Sequence, residues 1–326
     1  MVSENNSYNF QELYESRTAR ASFTEEIEGL PQDQMLIETG DYAVYHAKAH
    51  QIPNFLFEIG HLREVTFRQN GAGTGKHFDL DSFDLHYTHL FVWNRTRREL
   101  VGAYRLGLVD KILDRFGQEG LYSSTLFNYK NSFLRHVSEG VELGRSFVRT
   151  EYQRLYLPLL LLWKGIARFT VQNPSHSILF GLVSISDAYS HLSKQMIISF
   201  LTMNHYAPEM ARFVKPRMSP AKNLLGKSGV RCASLLPSDI DGLSTLIADI
   251  ESDRKGVPVL LKQYVKLGGK LMSFCLDPSF GNVIDGLILV DLLKCDRRVM
   301  NRFMGEEGAE QYFSYHRRQG LESLAS

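Results

Sequence analysis

Asp81-Ser-Phe-Asp84 … His89-Leu-Phe-Val-Trp93 … Leu100-Val-Gly-Ala-Tyr-Arg105-Leu106 is the stretch that decides how this chain is read. An acidic pair three residues apart leads into two apolar, strand-like runs joined by the polar turn Asn94-Arg-Thr-Arg-Arg-Glu99. Further on, Val141-Glu142-Leu-Gly-Arg145-Ser-Phe-Val148 sets another acid and arginine three apart in strand-like sequence. Ionisable groups inside apolar strands are costly unless paired or put to use. The two runs read as a β-hairpin, with Leu90 and Val92 on one face and His89, Phe91 and Trp93 on the other.

Outward from this stretch, helical and strand patterns interleave. Tyr42 to Phe67 carries helical spacing (Val44, Ala47, then Leu56, Ile59, Leu62 and Phe67), with Pro53 suited to the first turn of a second helix. Asp110–Gly117 reads as a short helix and 118–133 as an aromatic loop. Thr150-Glu-Tyr-Gln153 has the form of a capping box opening a helix through Gln172. Continuous apolar character makes 177–185 a buried strand, and 187–206 reads as a helix. Beyond Pro208 come a basic, proline-broken connector and an acidic helix with Ser238 as its cap. A helix from Pro258 to Gly268, strands at 270–276 and 285–292, and a charged helical tail complete the chain. The fold class is mixed α/β, a sheet flanked by helices. Its expected divisions are a polar, flexible leader (1–38), a core (39–206), a connector with the acidic helix (207–255), and a C-terminal lobe (256–326) that completes the sheet and the acceptor site.

The 326 residues are 44% hydrophobic and 22% charged, enough to bury a substantial core. A formal net charge of +1 argues against a dedicated nucleic-acid binder. Three cysteines (Cys232, Cys275, Cys295) are too few and scattered for a disulfide framework or zinc site, and suit a reducing cytoplasm. The first forty residues lack a secretory pattern, and Leu155–Trp163 is about half the roughly 20 residues a spanning helix needs. That run reads as core, or as an apolar surface for membrane or acyl chain, since Lys164 and Arg168 follow it. Gly71-Ala-Gly73-Thr-Gly75-Lys76 fails the phosphate-loop pattern: three residues separate Gly71 from Gly75, and His77 follows the lysine. It is expected instead to be a mobile loop beside the active site. His77, His86 and His89 match no tight metal-ligand spacing, so no metal is expected.

Taken in order, Arg63-x-x-x-Phe67, Asp81-x-x-Asp84, Gly102-x-x-Arg105 and Glu142-x-x-Arg145 resemble the pattern of acyl-homoserine-lactone synthases and of their GNAT-superfamily relatives, the amino-acid N-acyltransferases of ornithine-lipid and glycine-lipid synthesis. The block Val257–Gly269 with Asp277-Pro-Ser-Phe280-Gly281, Asp285 and Asp291 looks like the lipid-making branch. Gly73-Thr-Gly75-Lys76 stands where the lactone synthases carry an aromatic.

The resemblance implies a GNAT-like mixed central sheet with a C-terminal helix-strand-strand extension, and no permanently bound cofactor. It implies transfer of a fatty acyl group, often 3-hydroxylated, from the 4′-phosphopantetheine of acyl carrier protein, or from acyl-CoA, to the α-amine of an amino acid. The arm would enter where strands 139–148 and 177–185 part. Its phosphate would lie at a helix start near Thr150, with Arg149 and Arg154 adding charge. Glu142 is the candidate proton acceptor, or else an ion-pair partner of Arg105 or Arg145. Those arginines either grip a substrate carboxylate or lock onto Asp81 and Asp84. Arg63 would anchor this network, Asp81 and Asp84 would orient arginines or bind the amine, and Phe67 would be core. Lys215, Arg217, Lys222 and Lys227 would dock acyl carrier protein or serve as a solvated linker. A cytoplasmic location, peripheral contact with the inner membrane, and an O-acyltransferase partner fit the lipid-making branch. The rivals are an autoinducer synthase and a non-catalytic acyl-binding module.

Overall fold

The computed structural model describes residues 21–221 and 236–325. Its strands are β1 (Met35–Thr39), β2 (Tyr42–Lys48), β3 (Thr88–Asn94), β4 (Glu99–Leu108), β5 (Phe127–Tyr129), β6 (Gly140–Val148), β7 (Ile178–Ile185), β8 (Val214–Pro216), β9 (Lys270–Asp277) and β10 (Val283–Asp291). Its helices are α1 (Ala21–Glu28), α2 (Phe55–Gln69), α3 (Val109–Phe116), α4 (Asn131–Val137), α5 (Tyr156–Gln172), α6 (His191–Asn204), α7 (Pro208–Ala211), α8 (Ile240–Ile250), α9 (Val259–Lys266), α10 (Arg297–Met304) and α11 (Glu306–Ala325). Eight strands form one sheet in the order β1-β2-β3-β4-β6-β7-β10-β9, while β5 and β8 pair separately. The C-terminal strands β9 and β10 join the same sheet as the core strands.

The hairpin β3–β4 forms as its alternation predicts, and both of its faces are covered. Leu90 and Val92 pack with Leu161, Trp163 and Ile166 of α5. Phe91 and Trp93 pack with Phe55 and Ile59 of α2. The face toward α5 is one continuous core that extends under α6 and α8–α11. The opposite face carries two separate apolar clusters, one around Phe55, Phe91 and Phe147, the other around Tyr87, Phe127, Phe133, Phe180 and Leu287. Arg105, near the rings of Phe83 and Tyr87, stands against the second of these clusters.

All pairings in the large sheet are antiparallel except β6 with β7. Those two run parallel only from Gly140↔Ile178 to Leu143↔Gly181. Beyond that rung β6 stays with β4 through Val148, and β7 stays with β10 through Ile185. The sheet therefore opens into a V, as the resemblance implies. At its apex only glycine fits: a Cβ on Gly181 would sit 2.1 Å from the Leu143 carbonyl oxygen. Just past the apex a Cβ on Gly144 would meet nothing within 4 Å.

Several local expectations change. Tyr42–Lys48 is a strand, not a helix, because its aromatic and small residues fit the pleat between β1 and β3. Part of the supposed leader is folded: Ile27 is buried, and Glu26 accepts hydrogen bonds from the backbone N–H groups of Asn54 and Phe55 (3.0 and 2.9 Å) at the start of α2. Thr150–Gln153 does not open the long helix. Thr150–Tyr152 forms one 3-10 turn, Gln153 donates to the Val148 carbonyl (2.8 Å), and α5 starts at Tyr156. Pro158, which lacks an N–H, sits in the first turn of α5, where none is needed. Asp239 rather than Ser238 caps α8. Most of the Leu155–Trp163 run is core or half-buried, but Leu155, Tyr156 and Leu157 at the head of α5 are exposed. Among the described residues no helix is long and apolar enough to cross a membrane.

Gly181→Ala is expected to reduce unfolding free energy by about 1–3 kcal/mol, because an added Cβ must push β6 and β7 apart at the last rung of their pairing. Urea denaturation of the two proteins measures this.

Candidate active site

The spacing Asp81-x-x-Asp84 first does local work. The Asp81 carboxylate accepts hydrogen bonds from the N–H groups of Phe83 (3.0 Å) and Asp84 (3.3 Å), and Asp84 accepts from the N–H of Asp81 (2.9 Å). This reciprocal cap fixes a 3-10 turn, Ser82–Leu85, and aims both carboxylates at the sheet.

There they meet three arginines. Arg63, on α2, makes a two-pronged contact with Asp84 (3.1 and 3.0 Å), and its Nε lies 2.9 Å from Asp79. Arg105, on β4, reaches Asp81 (2.6 Å) and Asp84 (3.2 Å). Arg145, on β6, lies 3.2 Å from Asp79 and 3.7 Å from Asp81. At Asp79 Oδ2 the approach of both Nε groups is too oblique for a hydrogen bond, so those contacts are purely ionic. Three guanidinium groups balance three carboxylates. Burial alone would raise the Asp84 carboxyl, but Arg63 and Arg105 overcome this and hold it well below the usual carboxylate range. Burial works against the charge on Arg105, and Asp81 and Asp84 more than restore it.

Of the two readings open for the arginines, Arg105 takes the lock onto Asp81 and Asp84. Its side chain is 1% exposed and lies against the rings of Tyr122 (4.9 Å) and Tyr87 (5.2 Å). Arg145 differs. It sits in a β-bulge opposite Tyr104 with φ 50°, a left-handed conformation that a non-glycine residue adopts only under constraint. Its guanidinium is held between the rings of Tyr122 (4.7 Å) and Phe280 (4.6 Å), and its side chain keeps 10% exposure. Phe67 packs edge-on against Phe280 at 5.1 Å and supports this stack.

Glu142 is not an ion-pair partner of either arginine. It is 2% exposed and accepts hydrogen bonds from the N–H groups of Tyr122 (3.0 Å) and Ser123 (2.7 Å) and from the Tyr87 hydroxyl. The bulge brings Glu142 and Arg145, three apart, onto one face of β6, where both bear on Tyr122. His86 and His89 are spoken for by the carbonyls of Gly120 (3.0 Å) and Asp84 (2.8 Å). Among the described residues no group of three or more His, Cys, Asp or Glu is placed to hold a metal ion.

The glycine loop 71–76 is tied down rather than free. Glu64 of α2 accepts from the N–H groups of Thr74 (2.9 Å) and Gly75 (2.8 Å), from the Thr74 hydroxyl (2.8 Å) and from Arg68 (2.7 Å). Burial opposes its charge, but these donors hold the Glu64 carboxyl below its ordinary value. The amides that a phosphate would need already face an internal carboxylate.

Near Thr150, Arg149 is committed to Glu99 (3.1 Å) and Glu151 (3.0 Å), and the Thr150 hydroxyl donates to Gln69. Neither lies at the start of α5; Arg154 does, exposed, two residues before it. Arg217 donates to the Ser124 carbonyl (2.9 Å), Lys215 is exposed, and Lys222, Lys227 and Cys232 lie outside the described residues.

Sequence reasoning gives no place to Asp79, Tyr87 and Tyr122, and names Phe280 and Asp285 only as part of the C-terminal block, without a role at the site. Tyr87 and Tyr122 carry no spacing signal. Asp285 does: it is a lone carboxylate in the apolar run Val283-Ile-Asp-Gly-Leu-Ile-Leu-Val290. It is 3% exposed and accepts a hydrogen bond from the Ser184 hydroxyl (2.6 Å).

This mixed sheet, opening into a V beside an arginine–carboxylate network, defines a GNAT-type acyltransferase, and residues 62–163 match the acetyltransferase (GNAT) domain family. The chain is 31% identical over 271 residues to a glycine Nα-acyltransferase of Phocaeicola vulgatus, covering 78% of this chain and 82% of that protein. It is 32% identical over 275 residues to one from Bacteroides thetaiotaomicron, covering 79% of each. An L-ornithine Nα-acyltransferase of Agrobacterium fabrum is 24% identical over 252 residues, 75% of this chain and 78% of that one. The chain belongs to this N-acyltransferase family. Among solved structures, the acyl-homoserine-lactone synthase LasI aligns over 50% of this chain and 80% of its own at 17% identity, with a TM-score of 0.32.

Two outcomes are expected. Arg63→Met should cost about 3–5 kcal/mol in chemical denaturation, because it takes the two-pronged partner from Asp84 and leaves three carboxylates against two guanidinium groups. Burial pulls the His89 imidazole down to about 4, so it stays neutral in the fold while an unfolded histidine protonates near 6.5. Below about pH 6.5 the unfolded state therefore binds the extra proton, and His89 makes stability fall as pH drops toward 4. His89→Gln should flatten that part of the profile, read from unfolding free energies at pH 4.5 to 7.5.

Proposed function

We propose that this protein transfers a fatty acyl group, with or without a 3-hydroxyl, from a pantetheine thioester to the α-amine of an amino acid such as glycine or ornithine. The product is an N-acyl amino acid, a precursor of aminolipids. The observation that carries this reading is the similarity to two glycine Nα-acyltransferases, which spans about four-fifths of this chain and of each of theirs.

In this reading the thioester arm lies in the V between β6 and β7, beside Gly144, where an added Cβ would meet nothing within 4 Å. Its phosphate points to the start of α5, with Arg154 as the available cation in place of Arg149 and Thr150. Acyl carrier protein is the proposed donor and CoA the simpler alternative; exposed Lys215 suits an acidic carrier. The amine attacks the thioester directly, with no covalent enzyme intermediate, since neither Cys275 nor Cys295 belongs to the network. Arg145, the one arginine of the three with accessible surface, meets the substrate carboxylate. Arg63, Arg105, Asp79, Asp81 and Asp84 form the rigid platform that orients it. Glu142 acts as a positioning residue, holding Tyr122 under Arg145.

Incubation with acyl carrier thioester and mixed amino acids, read by mass spectrometry, should yield N-acyl amino acid. A lactone product without it would overturn the reading. Arg145→Lys should raise KM for the amino acid about tenfold or more while leaving KM for the thioester near its original value, since an ammonium cannot stack and fork as guanidinium does. Glu142→Gln should lower turnover at least tenfold with donor binding intact, and unchanged turnover would remove Glu142 from any role.

A further inference from the structure

We infer that Asp285 is the group that receives the substrate ammonium and takes its proton, an assignment that rests on the N-acyltransferase reading above. Asp285 lies on β10 directly opposite Ser184 of β7, in the part of β7 that has already parted from β6. It therefore stands on the β7 rim of the V, and Arg145 stands on the β6 rim. Opposed residues of an antiparallel pair share a face, so Asp285, Ser184 and Cys275 of β9 all point to the face that carries the arginine network.

The charges around Asp285 suit an amine. Arg63, Arg105 and Arg145 are matched by Asp79, Asp81 and Asp84. Asp285 and its neighbour Asp277 come in addition, with no arginine or lysine of their own among the described ion pairs. The groups facing Asp285 are Ser184 from β7, Cys275 and Asp277 from β9, Arg145 from β6, and Tyr122 from the segment before β5. Among the described residues its only side-chain hydrogen bond is the one from Ser184, whereas Glu142 already accepts three. A zwitterionic amino acid thus finds Arg145 for its carboxylate on one rim and Asp285 for its ammonium on the other.

The chemistry balances. The ammonium gives one proton to the Asp285 carboxylate, and the neutral amine attacks the thioester carbonyl. A C–N bond forms, the C–S bond breaks, the second N–H proton leaves with the thiolate as thiol, and Asp285 returns its proton to water. Burial lifts the Asp285 carboxyl, Asp277 adds to the lift, Ser184 and Arg145 work the other way, and it settles at about 7. That is a suitable poise for a base working near neutral pH. Tyr122 does not compete, because burial pushes its phenol up to about 12.

The test is the pH dependence of kcat/KM for glycine with a long-chain acyl thioester, using the full chain. The wild type should gain activity as pH rises through about 7. Asp285→Asn, checked for folding by circular dichroism, should lose about 100-fold or more at pH 7 and lose that limb, while thioester binding stays within threefold. Ser184→Ala removes the hydrogen bond that favours the ionised carboxylate, so it should keep the limb but move it to higher pH. Asp285→Asn with the wild-type profile, or Ser184→Ala with an unmoved limb, overturns the assignment while leaving N-acylation intact. A wild type that acylates no amino acid under these conditions overturns both.

Discussion

Three guanidinium groups set against three carboxylates, closed away on one face of a sheet covered on both sides, is the interaction on which the rest of this structure depends. Arg63 comes from the helix before the hairpin, Arg105 and Arg145 from two adjacent strands, and Asp79, Asp81 and Asp84 from the connection between that helix and the hairpin. No single member could be buried by itself, since an unpaired charge in such a place costs several kcal/mol. The network therefore couples α2, the 3-10 turn, β4 and β6 into one unit.

That rigidity gives the β-bulge at Arg145 its setting. A regular strand would send Glu142 and Arg145 to opposite faces. The bulge, with Arg145 left-handed, brings them to the same one and seats the guanidinium between Tyr122 and Phe280. Glu142 then holds the backbone beneath Tyr122. Strain at Arg145 is sustained by ion pairs on one side and aromatic rings on the other, as expected of a position whose geometry matters more than its comfort. The parting of β6 and β7 a few residues away provides the space toward which this arrangement faces.

The glycine loop shows how an internal group can occupy a motif-like feature. Its amides gather around an anion, as those of phosphate loops do, but the anion is Glu64 of the preceding helix. The loop in turn packs its backbone on Gly281 of the β9–β10 turn and on Ser186 at the end of β7. Glu64 thereby joins the helix carrying Arg63 to both C-terminal strands. The apolar cavity lined by Trp163, Ile166, Leu267, Met300 and Met304 belongs to the other face of the sheet, away from all of this.

What the sequence alone determined was the hairpin, the buried strands, the helix from Pro258 to Gly268, and the identity of the six residues Arg63, Asp81, Asp84, Arg105, Glu142 and Arg145. Each of these rests on local patterning or on motifs at fixed spacing, which survive without knowledge of neighbours. Tyr42–Lys48 was misread as helix because a covered strand loses strict alternation, and the start of α5 because a capping pattern also suits an isolated 3-10 turn. Only the tertiary structure decided which charges pair. It locked Arg105, left Arg145 partly open, separated Glu142 from both, and set Asp285 across the V from Arg145. Those outcomes depend on strand order and on one bulge, and pairing across a sheet between residues more than a hundred positions apart leaves no trace in the spacing along the chain.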